Sequence, residues 1–235
     1  VKPVTAAPDM PRQLIFDLPL REARGRGDFF VSESNAAALA AVDGWQGWPG
    51  SKLLLTGPEG AGKSHLVQVW AEISGAQVIA AEALAGLDLA PFAGHNVALE
   101  DADRIAGDDT AERAAFHLHN LVLAERGHLL VTASVPPGRW GLTLPDLASR
   151  MQGTASIAIA PPDQALLAAV LVKLFADRQI TPPETLIRYL VARIDRSFAA
   201  AREIVAALDA AALSTGKPLG IKLAAELLER QDDLF

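Results

Sequence analysis

The eight residues Gly57-Pro58-Glu59-Gly60-Ala61-Gly62-Lys63-Ser64 constrain this chain more than any other segment. They satisfy G-x-x-x-x-G-K-[ST] at every fixed position. They also stand between a short apolar run, Lys52–Thr56 (KLLLT), and a run of helix-forming residues from about 63 to 74. A strand before the pattern and a helix after it are the context in which the pattern has physical meaning. Glycine at 57, 60 and 62, with the small Ala61, lets backbone N–H groups converge on phosphate oxygens, and the helix N-terminus adds a favourable dipole. Lys63 is then placed for the β- and γ-phosphates, and the Ser64 hydroxyl for Mg²⁺. The expected ligands are ADP or ATP with Mg²⁺.

The rest of the first 160 residues repeats the alternation. After the helix come a short strand near 77–80, a strand at 96–100, a helix at about 110–125, a strand at 129–132 and a fifth strand at 157–160. Short apolar runs closed by turn residues and separated by helices imply a parallel sheet with helices on both faces. Ser34 or Asn35 is placed to cap a helix at 36–42, and 45–50 is a loop. Beyond Pro161-Pro162 only helical patterns remain, at about 164–178, 183–194, 198–213 and 221–231, punctuated by Thr181-Pro182-Pro183 and Gly216-Lys217-Pro218. The expected organisation is a tail at 1–27, an α/β nucleotide-binding domain at 28–161 with a five-stranded parallel sheet, and a small all-helical domain at 162–235.

A second acidic element accompanies the loop. Val97-Ala98-Leu99 is a buried strand that ends in Glu100 and Asp101, where two carboxylates could hold Mg²⁺ and position a water. A solvated acidic turn is the alternative, since Asp103, Asp108 and Asp109 follow. The metal-proximal position, usually Asp, is Glu100 here, and Asp101 stands where a longer Glu is common. Little ATP hydrolysis by the chain alone is therefore expected. Thr132-Ala133-Ser134, at the next strand end, offers a polar side chain to sense a γ-phosphate or simply ends the strand.

Composition narrows the function. The chain has 235 residues, a net charge of −7 and no cysteine, which excludes disulfides and thiolate metal sites and fits a cytoplasmic home. No long uncharged apolar run spans a membrane, and no signal-peptide layout opens the chain. With no clustered basic face, direct sequence-specific DNA binding is not expected. His117 and His119 lie two apart on a helix and face different ways, so they are poor joint metal ligands. Trp45, Trp48, Trp70 and Trp140 read as packing residues.

Four further segments resemble the AAA+ family of the bacterial replication initiator DnaA and its shorter relative Hda, which inactivates the initiator. Phe29-Phe30-Val31-Ser32-Glu33-Ser34-Asn35 resembles the stretch that packs near adenine, which implies an adenine pocket including Phe29, Val31 and Asn35. Gly62-Lys63-Ser64-His65-Leu66 resembles the family's phosphate-loop exit and adds His65. Pro145-Asp146-Leu147-Ala148-Ser149-Arg150-Met151 resembles the segment with the arginine finger, here Arg150. Ala201-Arg202-Glu203-Ile204 resembles the lid segment with the second nucleotide-sensing arginine, here Arg202. The resemblance covers about residues 28–228. Arg150 and Arg202 each have a plainer alternative, a surface ion pair. The initiator carries a DNA-binding helix-turn-helix domain after the lid. This chain stops soon after 228 and is acidic, so the inactivator branch is the expected one.

The tails add a partner. Gln13-Leu14-Ile15-Phe16-Asp17-Leu18-Pro19 is an apolar island among prolines and resembles the short peptide that docks on the DNA polymerase sliding clamp, through Gln13, Leu14, Phe16 and Leu18. Packing on the chain's own body is the alternative. Gln231-Asp232-Asp233-Leu234-Phe235 has the same look, with Gln231, Leu234 and Phe235 as anchors or as the end of the last lid helix. The resemblance implies an ADP-bound protein, held at the replisome by the clamp, that brings Arg150 to the ATP of the DnaA initiator. Oligomeric state stays open, a homodimer included. The competing expectations are a stand-alone ATPase or helicase loader using Lys63, Glu100 and Asp101, and a plain interaction module in which nucleotide is structural filler.

Overall fold

The structure, a computed structural model, describes residues 30–232, with side chains through residue 229. Five strands form one sheet: β1 (Lys52–Thr56), β2 (Gln77–Ala80), β3 (Val97–Glu100), β4 (Leu129–Ala133) and β5 (Ser156–Ala158). The order is β2-β3-β4-β1-β5 and every pairing is parallel, with Leu54 opposite Val131 and Ser156. Both neighbours of β1 are remote in sequence. The chain therefore leaves β1 for the far edge of the sheet and opens a crevice at the C-terminal end of the strand, where α/β sheets bind ligands.

Alternation along the strands sorts the core. Leu54, Val97, Leu99, Leu129 and Val131 face one side, under α3 (Asp109–Ala124), whereas Leu53, Leu55, Ala98 and Leu130 face the other, under α1 (Ala36–Asp43) and α2 (Lys63–Ser74). Burial on both faces explains why these strands read as unbroken apolar runs. Trp48 and Trp70 stack with ring centroids 5.1 Å apart, and the Trp48 indole N–H donates to the Ala41 carbonyl at 2.7 Å. The tryptophans pack, as expected, and two short 3₁₀ turns sit within 45–51.

After β5 the only elements among the described residues are helices: α5 (Gln164–Ala176), α6 (Glu184–Val191), α7 (Phe198–Thr215) and α8 (Ile221–Asp232). They bury an apolar cluster of their own, in which Leu167, Leu171, Phe175, Leu186, Leu190, Val205, Leu208 and Leu223 meet. Side-chain caps set two of their starts. Asp163 accepts from the Leu166 amide at 2.8 Å and Ser197 from the Ala200 amide at 3.0 Å, each removing an orphan donor of a first turn.

Two local expectations are corrected. Neither Ser34 nor Asn35 caps α1 with its side chain. Asn35 instead staples the preceding turn, accepting from the Ser32 amide at 3.0 Å and donating to the Phe30 carbonyl at 2.9 Å. The fifth strand begins and ends earlier than its apolar run suggests, because Ile159 turns away after its amide reaches the Thr56 carbonyl. A further helix, α4 (Pro145–Gln152), links β4 to β5; Pro145 opens it at a first-turn position, where its missing N–H costs nothing. Among the described residues no helix is long and apolar enough to cross a membrane.

Candidate functional site

A cavity of about 510 Å³ lies at the C-terminal end of β1, between the sheet domain and the lid helices. Its floor is the loop from Glu59 to Ser64 and the first turn of α2, with His65 and Leu66. Gly62 precedes α2 in a left-handed conformation, φ 101°, which only glycine adopts readily. That conformation aims the first amides of α2 into the cavity, an arrangement suited to an anion.

Lys63 is only 8% exposed. Its ammonium donates to the Gly57 carbonyl at 2.7 Å and the Pro58 carbonyl at 3.0 Å, so Gly57 lies behind the cavity and orients the lysine. Burial pulls the Lys63 pKa below its ordinary value, while Asp101, Asp103 and Glu59 act to raise it. His65 is also held below its usual pKa, first by burial and then by Arg202 and Lys173, with Glu72 opposing. Lys173 on α5 and Arg202 on α7 both line the cavity, so two lid cations face the phosphate loop in a chain that is acidic overall.

The lid touches the loop directly. The Phe198 amide donates to the Gly60 carbonyl at 3.0 Å. A Cβ on Gly60 would meet the Ser197 Cβ at 2.5 Å, and one on Gly62 would meet the Phe198 ring at 2.8 Å. Glycine is thus required here twice over, for its backbone angle and for the approach of the lid.

The carboxylates are arranged differently from the sequence expectation. Asp101 and Asp103 line the cavity and Glu100 does not. Asp101 sits at φ 54° and turns the chain out of β3. Its amide donates to Thr132 Oγ1 at 3.0 Å, and its carboxylate lies 3.7 Å from Arg104. The turn carries Asp103 to the end of β4, where it accepts from the Ser134 amide at 3.0 Å and from the Ser134 hydroxyl. Ser134 is the cavity residue at that strand end, whereas Thr132 is buried behind it. One oxygen of Glu100, Oε1, is enclosed without a hydrogen-bond partner.

Among the described residues no group of three or more His, Cys, Asp or Glu could hold a metal by itself. That donor set still fits Mg²⁺, which keeps several waters and takes one or two protein oxygens plus phosphate. Ser64 and Asp101 offer those oxygens in this cavity.

Phe30 and Asn35 also line the cavity, whereas Val31 packs against the core beneath α1 and α2. Phe29 lies outside the described residues, as do Gln13, Leu14, Phe16, Leu18, Leu234, Phe235 and the side chain of Gln231. Sequence reasoning missed Phe30, Glu59, Asp103, Arg104, Lys173 and Phe198. The hint for Phe198 was its place four residues, one helical turn, before Arg202.

Arg150 belongs to none of this. It is exposed near the C-terminal end of α4 and forms no ion pair among the described residues. Its carbonyl accepts from Lys52 Nζ at 3.1 Å. Lys52 opens β1 and the phosphate loop follows its other end, a strand length of about 13 Å, and Arg150 does not line the cavity.

No protein-family model matches the chain. Solved structures resemble it. Domain III of the Thermotoga maritima replication initiation protein DnaA is 19% identical, with a TM-score of 0.76 over 86% of this chain and 94% of that one. AMPPCP-bound DnaA from Aquifex aeolicus is 17% identical, with a TM-score of 0.67 over 87% of this chain and 68% of that one. A replication initiator DnaA bound to AMPPCP and single-stranded DNA is 17% identical, with a TM-score of 0.68 over 87% of this chain and 66% of that one. At these identities the likeness establishes the fold alone, that of domain III of the replication initiation protein DnaA.

Proposed function

We propose that this chain is a nucleotide-bound AAA+ regulator of replication initiation, tethered to the sliding clamp, that brings Arg150 in trans to the ATP of the DnaA initiator. The observation that carries the reading is the separation just described: an exposed arginine, with no ion pair among the described residues, away from its own nucleotide cavity. An arginine so placed does not reach this chain's own nucleotide cavity, and its open guanidinium suits a phosphate brought by a neighbour. Supplied in trans, a guanidinium offsets charge on a transferring phosphoryl group, a contribution of about 10³ to 10⁵ in rate in phosphoryl-transfer systems.

The cavity's own residues then have a binding role. Lys63 and the first amides of α2 hold the β-phosphate of ADP or ATP, Phe30 and Asn35 lie at the base side, and Ser64 with Asp101 would hold Mg²⁺. Magnesium supplies charge neutralisation between the phosphates when it is bound. Arg202 and Lys173 reach the nucleotide from the lid, so its occupancy sets the angle between lid and sheet domain. The clamp tether rests on the sequence of 13–18 alone.

Asp101 and the Asp103–Ser134 pair face the cavity, which favours a second reading, a chain that hydrolyses its own ATP. The two separate in one experiment: ATP hydrolysis by the purified chain, and by ATP-loaded initiator with and without the chain, with clamp loaded on DNA. Slow turnover alone and strong stimulation of the initiator support the regulator. Fast turnover alone without stimulation supports the ATPase.

A further inference from the structure

Lys52 has no carboxylate partner among the described residues, yet it is half-buried. Its ammonium has two lone-pair acceptors instead, His119 Nε2 at 3.2 Å and the Arg150 carbonyl at 3.1 Å. An ammonium only donates, so His119 Nε2 must be unprotonated; its Nδ1–H then donates to Asn120 Oδ1 at 3.1 Å. Burial, with the nearby Lys52 and Arg150 charges, holds the 4%-exposed His119 below its usual pKa, which keeps that acceptor neutral. The Arg150 carbonyl is one of the last four of α4, which lack partners within the helix. It is filled twice, by Lys52 and by Thr154 Oγ1 at 2.8 Å, while the Gly153 amide serves Ser149. The turn that bears Arg150 is thus fastened, main chain to side chain, to the first residue of the strand whose other end opens into the phosphate loop.

We propose that Lys52 is a positioning residue for Arg150: by bridging His119 Nε2 and the Arg150 carbonyl it fixes the last turn of α4, and so the direction from which the guanidinium meets the partner's phosphate. Lys52 itself does not line this chain's own cavity. The inference rests on the trans-arginine reading above. It adds a mechanical link from the phosphate-loop strand to the finger, in which β1 is the strut.

The test uses the full chain, clamp on DNA and ATP-loaded initiator, and reads stimulated hydrolysis against chain concentration. Lys52→Met keeps the apolar stem and removes the ammonium. Stimulated turnover should fall about ten- to a hundredfold, the scale of a group misplaced by ~1 Å. The half-saturating concentration and the chain's own ADP affinity should stay within about twofold, well under the tenfold that 1.4 kcal/mol represents. Lys52→Arg, which keeps the donors, should restore most of the rate. In an Arg150→Ala background Lys52→Met should cause no further loss, because a residue that acts through another is not additive with it. Wild-type rates with Lys52→Met, or losses that multiply in the double variant, overturn the positioning role while leaving the trans arginine standing. Wild-type stimulation by Arg150→Ala overturns both. Should Lys52→Met fail to fold, judged by circular dichroism, Lys52→Gln takes its place under the same outcomes.

Discussion

The amide of Phe198, the first residue of α7, donates to the carbonyl of Gly60 in the phosphate loop at 3.0 Å. Lid and loop are therefore joined main chain to main chain. A ligand seated on the loop would thus bear directly on the lid.

Gly60→Ala tests that junction. Gly60 has φ 74°, and its new Cβ would meet the Ser197 Cβ at 2.5 Å. The left-handed angle alone costs a residue with a Cβ about 1–2 kcal/mol. ADP affinity should fall by about tenfold or more, and the lid should swing away, read as a larger radius of gyration by small-angle scattering. Unchanged affinity and dimensions would show that the lid does not bear on the loop.

Lys63→Ala removes the cation aimed into the cavity. ADP affinity measured by calorimetry should fall on the order of a hundredfold, since a hydrogen bond to a charged group is worth about 1.5–3 kcal/mol. The rise in melting temperature on adding ADP should disappear with it, because only a ligand that binds the native state stabilises it. Wild-type affinity would remove the phosphate-loop assignment.

Glu112 gives the fold a pH dependence. It is fully buried on α3 and accepts from the Gly107 amide at 2.8 Å, the Thr143 amide at 2.9 Å, the Thr143 hydroxyl at 3.0 Å and the Leu144 amide at 2.7 Å. Burial acts to raise its pKa, and these hydrogen bonds together outweigh it, so the net shift is downward. A depressed folded pKa means stability that is fully present above the unfolded value, near 4.3, and lost as pH falls through the folded one. Leu144 precedes the first turn of α4, so this carboxylate also pins the entry to that helix. Glu112→Ala should lower the unfolding free energy by about 3 kcal/mol at pH 7, as several buried donors lose one acceptor. Denaturant melts against pH should show a full gap between wild type and Glu112→Gln above the unfolded value, near 4.3, and a shrinking one as pH falls below it. A constant gap between them would refute the linkage.

Most of this architecture was legible because its physics is local. KLLLT must be a buried strand, the glycines after it admit the loop, and the helix-only region follows a pair of prolines. The site was legible only where one short segment holds it. Glu100 and Asp101 look like a carboxylate pair in sequence, but Asp101 takes a left-handed turn that brings Asp103 to Ser134, 31 residues on, and leaves Glu100 outside the cavity. Phe30 lines the cavity and Val31 enters the core because neighbouring residues of an extended segment point to opposite sides. Lys173 and Phe198 come to the loop through lid packing, which no local pattern encodes. The Lys52–Arg150 contact joins residues 98 apart.

Two peptides compete for the clamp, both by sequence alone. The N-terminal one, with Gln13, Leu14, Phe16 and Leu18, lies ahead of the first described residue, Phe30, whereas the C-terminal one begins at Gln231, inside α8. Gln13→Ala with Phe16→Ala should therefore cost most of the clamp affinity in surface plasmon resonance, and deletion of Leu234 and Phe235 little. Loss in neither, nor in the combination, would take the clamp out of the proposal.

Arg150→Ala bears most directly on the trans mechanism. The variant removes one exposed guanidinium and leaves the Arg150 carbonyl, the nucleotide cavity and the clamp peptides in place. The measurement is the rate of ATP hydrolysis by ATP-loaded initiator, with clamp on DNA, as wild-type or Arg150→Ala chain is added. The expected result is normal ADP and clamp binding with stimulation reduced by about 10³-fold or to the basal rate. Stimulation equal to wild type would contradict the mechanism.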